Sequence, residues 1–411
     1  MAGRAMWSHR SRLEWSLRVA LAGAALIGGY VSVTQSLGYV LRNQDPVRAH
    51  ALSPRDGRIT AQYGNEIISD PELTPADRQR AKALALRALR QDPTSVTAAS
   101  VLGLSHQIDG KVESARRLFG YAQRLSRREL QVQIWAIEDA VARGDIPGIL
   151  KHYDIALRTS RNAPDLLFPI LAAAIADPDV RGEVVKTLSN APAWGGAFMS
   201  YVAVNGADPR SAAALLTGLR RRSITLPVDA SASVINGLIA AGFADEAWRY
   251  YAMVRPGSVR RQSRDPRFST MLETPTLLDW TLFNDGNVTS SIQRGDNGGF
   301  LEFAAPPSVG GPILRQMQLL PPGDYRLSGY SRGIEQTASS VPYWTLTCQA
   351  DGREFGRVDV PNSSQGAGAF GGTFRIPPDC PVQALTLIAR PSGTMLGLAG
   401  ELRHVQLVPA R

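Results

Sequence analysis

In the stretch LPPGDYRLSGYSR, Leu320 to Arg332, a Pro-Gly turn leads into residues that alternate in character. Period-two alternation sends Tyr325 and Leu327 to one face and Arg326, Ser328, Tyr330 and Arg332 to the other. An aromatic ring set among guanidinium and hydroxyl groups on a solvent face suits a sugar. The apolar face of a pyranose stacks on the ring, its hydroxyls need planar polar partners, and a uronic carboxylate favours Arg. The same alternation in PYWTLTCQA buries Trp344, Leu346 and Cys348 and exposes Tyr343, Thr345, Thr347 and Gln349, and Arg375, Thr386 and Arg390 follow suit on later strands. The candidate glycan-binding set is therefore Tyr330, Arg332, Arg326, Tyr343, Thr345, Gln349, Arg375 and Arg390. The competing reading is that every one-sided sheet carries a polar face without a ligand.

Residues for covalent or acid–base chemistry are not gathered in the same way. No acidic pair, His cluster or nucleophile motif stands out, and Asp279, Asp285, Asp296 and Asp324 read as turn residues. Proton abstraction beside a uronate needs a base and a charge neutraliser in one cleft. His106 and His152 fall instead in registers that pack helices, so neither an enzyme nor a cofactor is expected. Cys348 and Cys380 are the only cysteines and lack the neighbouring His or C-x-x-C spacing of a zinc site. In an oxidising compartment they are expected to pair; a buried pair of free thiols is the alternative.

The elements that must hold these residues are strands. GFLEFA, PILRQMQLL, DYRLSGYS, YWTLTCQA, GTFRIP, QALTLIAR and LRHVQLVP are short alternating runs bounded by Gly, Pro, Asn or Asp, which implies an antiparallel sandwich. With its opening DWTLFN, its Q-x-L-x-x-PG-x-Y-x-L pair and its F-x-I-P strand, the stretch Leu277 to Val408 resembles the jelly-roll carbohydrate-binding modules. That resemblance implies glycan binding, a closing strand beside the first, and room for a structural calcium, although no calcium-loop spacing is present.

Upstream, GKVESARRLFGYA and GDIPGILKHYDIA begin at Gly110 and Gly144, a spacing of 34 residues. That period aligns Ala81, Ala115 and Ile149, then Ala85, Phe119 and Tyr153, then Ala88, Ala122 and Ala156. Small residues let antiparallel helices approach closely, and the aromatic fills the groove between hairpins. The pattern resembles the second helix of the tetratricopeptide repeat, with Leu102 and Gly103 at the Leu-Gly positions of the first helix and Pro93 at the closing proline. The family implies a stacked solenoid whose concave face holds a peptide or protein. Trp194, Phe198 and Tyr201 share one helical face and read as a packed cluster.

No charge interrupts Val19 to Leu41, long enough to cross roughly 30 Å of hydrocarbon. Arg4, Arg10, Arg12 and Arg18 precede it against Glu14, which keeps that end cytosolic and exports the rest; a cleaved signal peptide is the alternative. At 411 residues, 44% hydrophobic, the chain can hold two or three domains. The net charge of +9 comes from basic residues that are almost all Arg, which suits anionic partners; the competing reading is a coding bias displayed on solvated helix faces. The expected organisation is a cytosolic tail (1–18), a transmembrane anchor (19–41), a linker (42–75), a tetratricopeptide-like helical domain (76–256), a basic linker exposed to solvent (257–276) and the sandwich (277–411).

The fold class is thus multidomain α plus β: transmembrane helix, α-solenoid and antiparallel jelly roll. Such chains resemble accessory proteins of bacterial polysaccharide assembly and export. The resemblance implies a single-pass inner-membrane protein, periplasmic in bulk. Its expected partners are envelope proteins at the repeats and an acidic polysaccharide at the sandwich, with no nucleic acid. A pure protein scaffold and a polysaccharide lyase with a helical toroid are the other readings.

Overall fold

The structure is a computed structural model that describes residues 12–284, 288–295 and 298–410. Most of the expected cytosolic tail, and two of the expected turn acids, Asp285 and Asp296, lie outside the described residues. The chain divides into two compact units, Met1–Leu167 and Phe168–Arg411.

The first unit is helical. It opens on α1 (Arg12–Leu41), of which Glu14–Leu41 is long and apolar enough to cross a membrane. There follow α2 (Pro46–Leu52), α3 (Gly57–Ile68), α4 (Pro75–Gln91), α5 (Val96–Ile108), α6 (Val112–Leu125), α7 (Leu130–Ala142), α8 (Ile146–Thr159) and the start of α9 (Ala163–Ala174). Side-chain caps start several of them. Thr74 Oγ1 accepts from the Asp77 N–H at 3.1 Å, and Asp145 Oδ1 from the Gly148 N–H at 2.9 Å; in both helices a proline sits in the first turn, where no N–H is missed. Gly110 and Gly144 end the preceding helices at φ 73° and 65°, a left-handed turn that costs glycine nothing. The small-residue columns are buried as their spacing predicts. Ala81, Ala115, Ala85, Phe119, Tyr153, Ala88, Ala122 and Ala156 are all in the core, while Ile149 is half-buried. Phe119 stacks on Trp135 at 4.3 Å between centroids.

The second unit carries α10 (Pro178–Ser189), α11 (Gly195–Asn205), α12 (Pro209–Arg221), α13 (Ala230–Ala240) and α14 (Ala244–Val254). Trp194 and Phe198 meet edge-on at 5.9 Å, and Phe168 packs against both Phe198 and Tyr201, so this aromatic group is a core cluster. Ten strands follow: β1 (Thr281–Leu282), β2 (Thr289–Gly295), β3 (Gly298–Ala305), β4 (Gly311–Gln318), β5 (Gly323–Arg332), β6 (Tyr343–Cys348), β7 (Glu354–Asp359), β8 (Gly368–Ile376), β9 (Gln383–Ala389) and β10 (Leu398–Pro409). They form two five-stranded antiparallel sheets, β1-β4-β9-β6-β7 and β2-β3-β10-β5-β8. One hydrophobic core joins their inner faces, with Leu314, Trp344 and Leu385 from the first and Leu301, Tyr325 and Leu402 from the second. The fold is a jelly-roll sandwich, and Cys348 and Cys380 are disulfide-bonded in it.

Two expectations are corrected. The closing strand β10 does not lie beside the first: it is inserted between β3 and β5, while β1 pairs with β4 at the edge of the opposite sheet. The run after α14 is also not wholly exposed. Arg264 is 7% exposed, its N–H donates to Gln316 Oε1 at 3.0 Å, and its carbonyl accepts from Gln316 Nε2 at 3.0 Å. Its Nε donates to the Leu278 carbonyl at 2.8 Å and its Nη2 to that of Met317. Phe268 is buried against Trp280. Backbone and amide bonds of this kind leave no apolar period in the sequence, which is why the run resembles a linker.

Candidate glycan-binding face

Register places the candidate residues. In β5, Tyr325 and Leu327 face the core, whereas Arg326, Tyr330 and Arg332 are exposed. Tyr330 is 51% exposed and has Ala369 of β8 and Arg403 of β10 as cross-strand neighbours, on the same face. The Arg403 guanidinium lies 4.8 Å from the centroid of Phe300 on β3 and donates to Glu401 at 3.1 Å. One row further along, Arg332 opposes Glu401, which opposes Glu302. These three, with Asn284 and Ser291, line a groove of about 730 Å³. Arg375 is on the same sheet but is held by Asp324 in a two-pronged ion pair of 2.8 and 3.1 Å, which pulls the Asp324 carboxyl below its usual range. Asp324 is accordingly the second residue of β5 and does not lie in a turn.

The other half of the set belongs to the opposite sheet and so cannot join Tyr330 in one site. Thr345 is 7% exposed, contrary to its expected outward display; its hydroxyl donates to the Gly356 carbonyl at 3.3 Å. Thr386 is buried as well, beneath Arg315, whose Nε donates to it at 3.3 Å. Long side chains lie down over this central part of the sheet, so alternation there does not mean exposure. Tyr343 is half-buried, with the Arg357 and Arg390 guanidinium groups 4.8 and 4.4 Å from its ring centroid. Arg390 is in turn bound by Asp359 at 3.0 Å and the Val341 carbonyl at 3.0 Å. Gln349 is exposed but sits in the turn after β6. A ring already carrying two guanidinium groups is poorly placed to stack a sugar.

Sequence reading missed Phe300, Glu302, Glu401 and Arg403. The alternation of GFLEFA did contain Phe300 and Glu302, opposite the buried Leu301 and Phe303. Arg403 was hidden by a bulge: the pairing of β10 with β5 shifts between Arg403 and Gln406, and His404 takes φ 49° there. The extra residue breaks the period by which a strand is read.

No family model and no curated protein matches the chain. Among solved structures, a CBM4 module is 13% identical and covers 36% of this chain and 99% of its own, with a TM-score of 0.27. YrrB, a TPR protein with an unusual peptide-binding site, is 14% identical over 52% of this chain and 94% of its own, TM-score 0.26. The enzymatically active domain of bacteriophage CBA120 tailspike protein 4 is 9% identical and covers 32% of this chain, TM-score 0.23; the likeness spans 20% of that chain's length.

Proposed function

We propose that this is a non-enzymatic, membrane-anchored accessory protein of the bacterial envelope, coupling protein interaction through its helical repeats to glycan binding through its sandwich in polysaccharide assembly or export. In this reading the apolar helix crosses the inner membrane once, with the preceding arginines in the cytosol and the bulk of the chain in the periplasm. The bond between Cys348 and Cys380 would persist in that oxidising compartment.

The observation that carries glycan binding is Tyr330. Its ring is 51% exposed on the β10–β5–β8 surface, and an exposed aromatic ring is the group on which an apolar pyranose face stacks. Arg326 and Arg332 on its own strand offer planar donors to hydroxyl or carboxyl groups, while Arg403 beside it is engaged by Glu401. The test is retention of native envelope polysaccharide by the immobilised full-length protein in detergent, with Tyr330→Ala as the comparison. Retention that falls in the variant supports the reading. Recovery of protein without glycan selects a pure scaffold, and release of unsaturated or reducing ends would identify an enzyme.

A further inference from the structure

A second surface in the same unit has the chemistry of a ligand site. Between α14, the run that follows it, and strands β1 and β2 is a cleft of about 960 Å³. Its lining joins apolar groups such as Val259 and Ile292 to hydroxyl and amide groups such as Ser258, Gln262 and Ser291. Three arginines line it as well, Arg255, Arg264 and Arg294.

The state of the charged groups points to the ligand. The two acids of the cleft are already satisfied from within. Asp279 accepts from the Tyr251 hydroxyl at 2.7 Å and from the Thr276 N–H and hydroxyl at 2.8 and 2.9 Å. Asp265 accepts from Ser269 N–H and hydroxyl at 2.8 and 3.1 Å and from Thr270 N–H at 3.1 Å. Two of the arginines are incompletely satisfied, while Arg294 is exposed and its Nη2 donates to the Thr270 carbonyl at 3.0 Å. Arg264 is 7% exposed and its Nη1 has no hydrogen-bond partner; the buried Nε of Arg255 has none either. Among the described residues no carboxylate forms an ion pair with any of the three guanidinium groups. Burial pulls Arg264 down to about 10, so it still carries its charge at neutral pH. A buried, charged N–H without an acceptor is costly unless something supplies one.

We propose that this cleft binds a carboxylate-bearing sugar, an acidic oligosaccharide of the uronate class, with Arg255, Arg264 and Arg294 receiving its carboxylates and Val259 and Ile292 its apolar faces. The inference rests on the glycan-binding reading above and adds a site separate from the Tyr330 face. A carboxylate fits the guanidinium fork, and the mixed apolar and hydroxyl lining fits a pyranose better than a bare anion.

The experiment is calorimetric titration of the full-length protein in detergent with hexagalacturonate, with its carboxyl-reduced neutral hexamer and with inorganic phosphate. Arg255→Gln and Arg294→Gln are the variants, since Arg264 is buried and holds the carbonyls of Leu278 and Met317, whereas Arg294 is exposed and holds only that of Thr270; thermal melts confirm that the variants fold. The expected result is binding of the acidic hexamer, weakened about ten- to a hundred-fold in either variant, as for loss of a charge-assisted hydrogen bond. Binding that both variants leave unchanged but Tyr330→Ala abolishes overturns the cleft and leaves the open face standing. Binding of the neutral hexamer alone does the same. Competition by phosphate at equal concentration reduces the cleft to a simple anion site and overturns the sugar. If neither hexamer binds, the cleft falls, and retention of native envelope polysaccharide then decides whether the Tyr330 face stands without it.

Discussion

Gly103 offers the sharpest check on the helical repeat. It occupies the Gly of the Leu-Gly pair in α5, and a Cβ added there would lie 2.7, 2.8 and 3.0 Å from three atoms of the Phe119 ring. That ring cannot retreat easily, because it is fully buried and stacked 4.3 Å from Trp135. Overpacking of this kind costs about 1–3 kcal/mol, against a helix-propensity gain of roughly 1 kcal/mol for Gly→Ala. Gly103→Ala should therefore be neutral to destabilising, by up to about 2 kcal/mol. Gly120, in the facing helix α6, has no atom within 4 Å of its added Cβ, so Gly120→Ala should stabilise by up to about 1 kcal/mol. Native-state hydrogen exchange of the α5 and α6 amides reads both locally, which avoids treating a two-unit chain as one transition. If Gly103→Ala proved as stabilising as Gly120→Ala, the close helix approach that defines the repeat would be wrong.

Further outcomes are open to measurement. Tyr330→Ala should cost under about 1 kcal/mol, as most surface changes do, whereas Tyr325→Ala, which removes a ring buried in the sandwich core, should cost roughly 3–5 kcal/mol. Thermal melts with the order reversed would invert the register of β5. Reducing the Cys348–Cys380 bond, which spans 32 residues, should destabilise the sandwich by about 3–4 kcal/mol, and urea midpoints that do not move with reductant would contradict this. His50, His106 and His152 all lie in the first unit with pKa values held below 6.5, chiefly by burial. A depressed folded value means that the unfolded chain binds more protons, so their contribution is complete above pH 6.5 and is lost as pH falls through the lowered folded values. Denaturation of that unit should thus be easier at pH 5.5 than at 7.5, with a smaller drop in His152→Gln; equal midpoints at the two pH values would refute it.

Legibility followed the source of each signal. Periodic burial was readable: the Ala81, Ala85 and Ala88 columns and the inward Tyr325 and Leu327 lie where a period of 34 or of two puts them. Strand order was not, since nothing local distinguishes a β10 beside β1 from a β10 between β3 and β5. Nor was the division of the candidate site. Tyr330 and Tyr343 both alternate outward, yet they belong to opposite sheets, and only the second has its ring covered by arginines from neighbouring positions. Arg264 escaped notice because its partners, Gln316 and the carbonyls of Leu278 and Met317, come together only through tertiary folding.

The arginine surplus is the point at which composition and structure part. A net charge of +9 invites an anionic partner anywhere on the surface. Much of it is answered locally, however: Arg375 by Asp324, Arg390 by Asp359, Arg357 by Glu354, Arg403 by Glu401 and Arg353 by Asp379. Exposed pairs of this sort are worth little to stability, but each ties down a guanidinium that a ligand would first have to release. The discriminating quantity is therefore not how many arginines face solvent but which of them still lack an acceptor. By that measure the polar faces of the sheets are largely self-contained around Tyr343 and Arg375. Among the described residues of the second unit, the buried guanidinium N–H groups left without acceptors are those of Arg255 and Arg264, where the acids Asp265 and Asp279 are spent on Ser269, Thr270, Thr276 and Tyr251. An anionic sugar would gain most where the protein has spent its own carboxylates elsewhere, and that criterion separates the cleft from the polar sheet faces of the same unit.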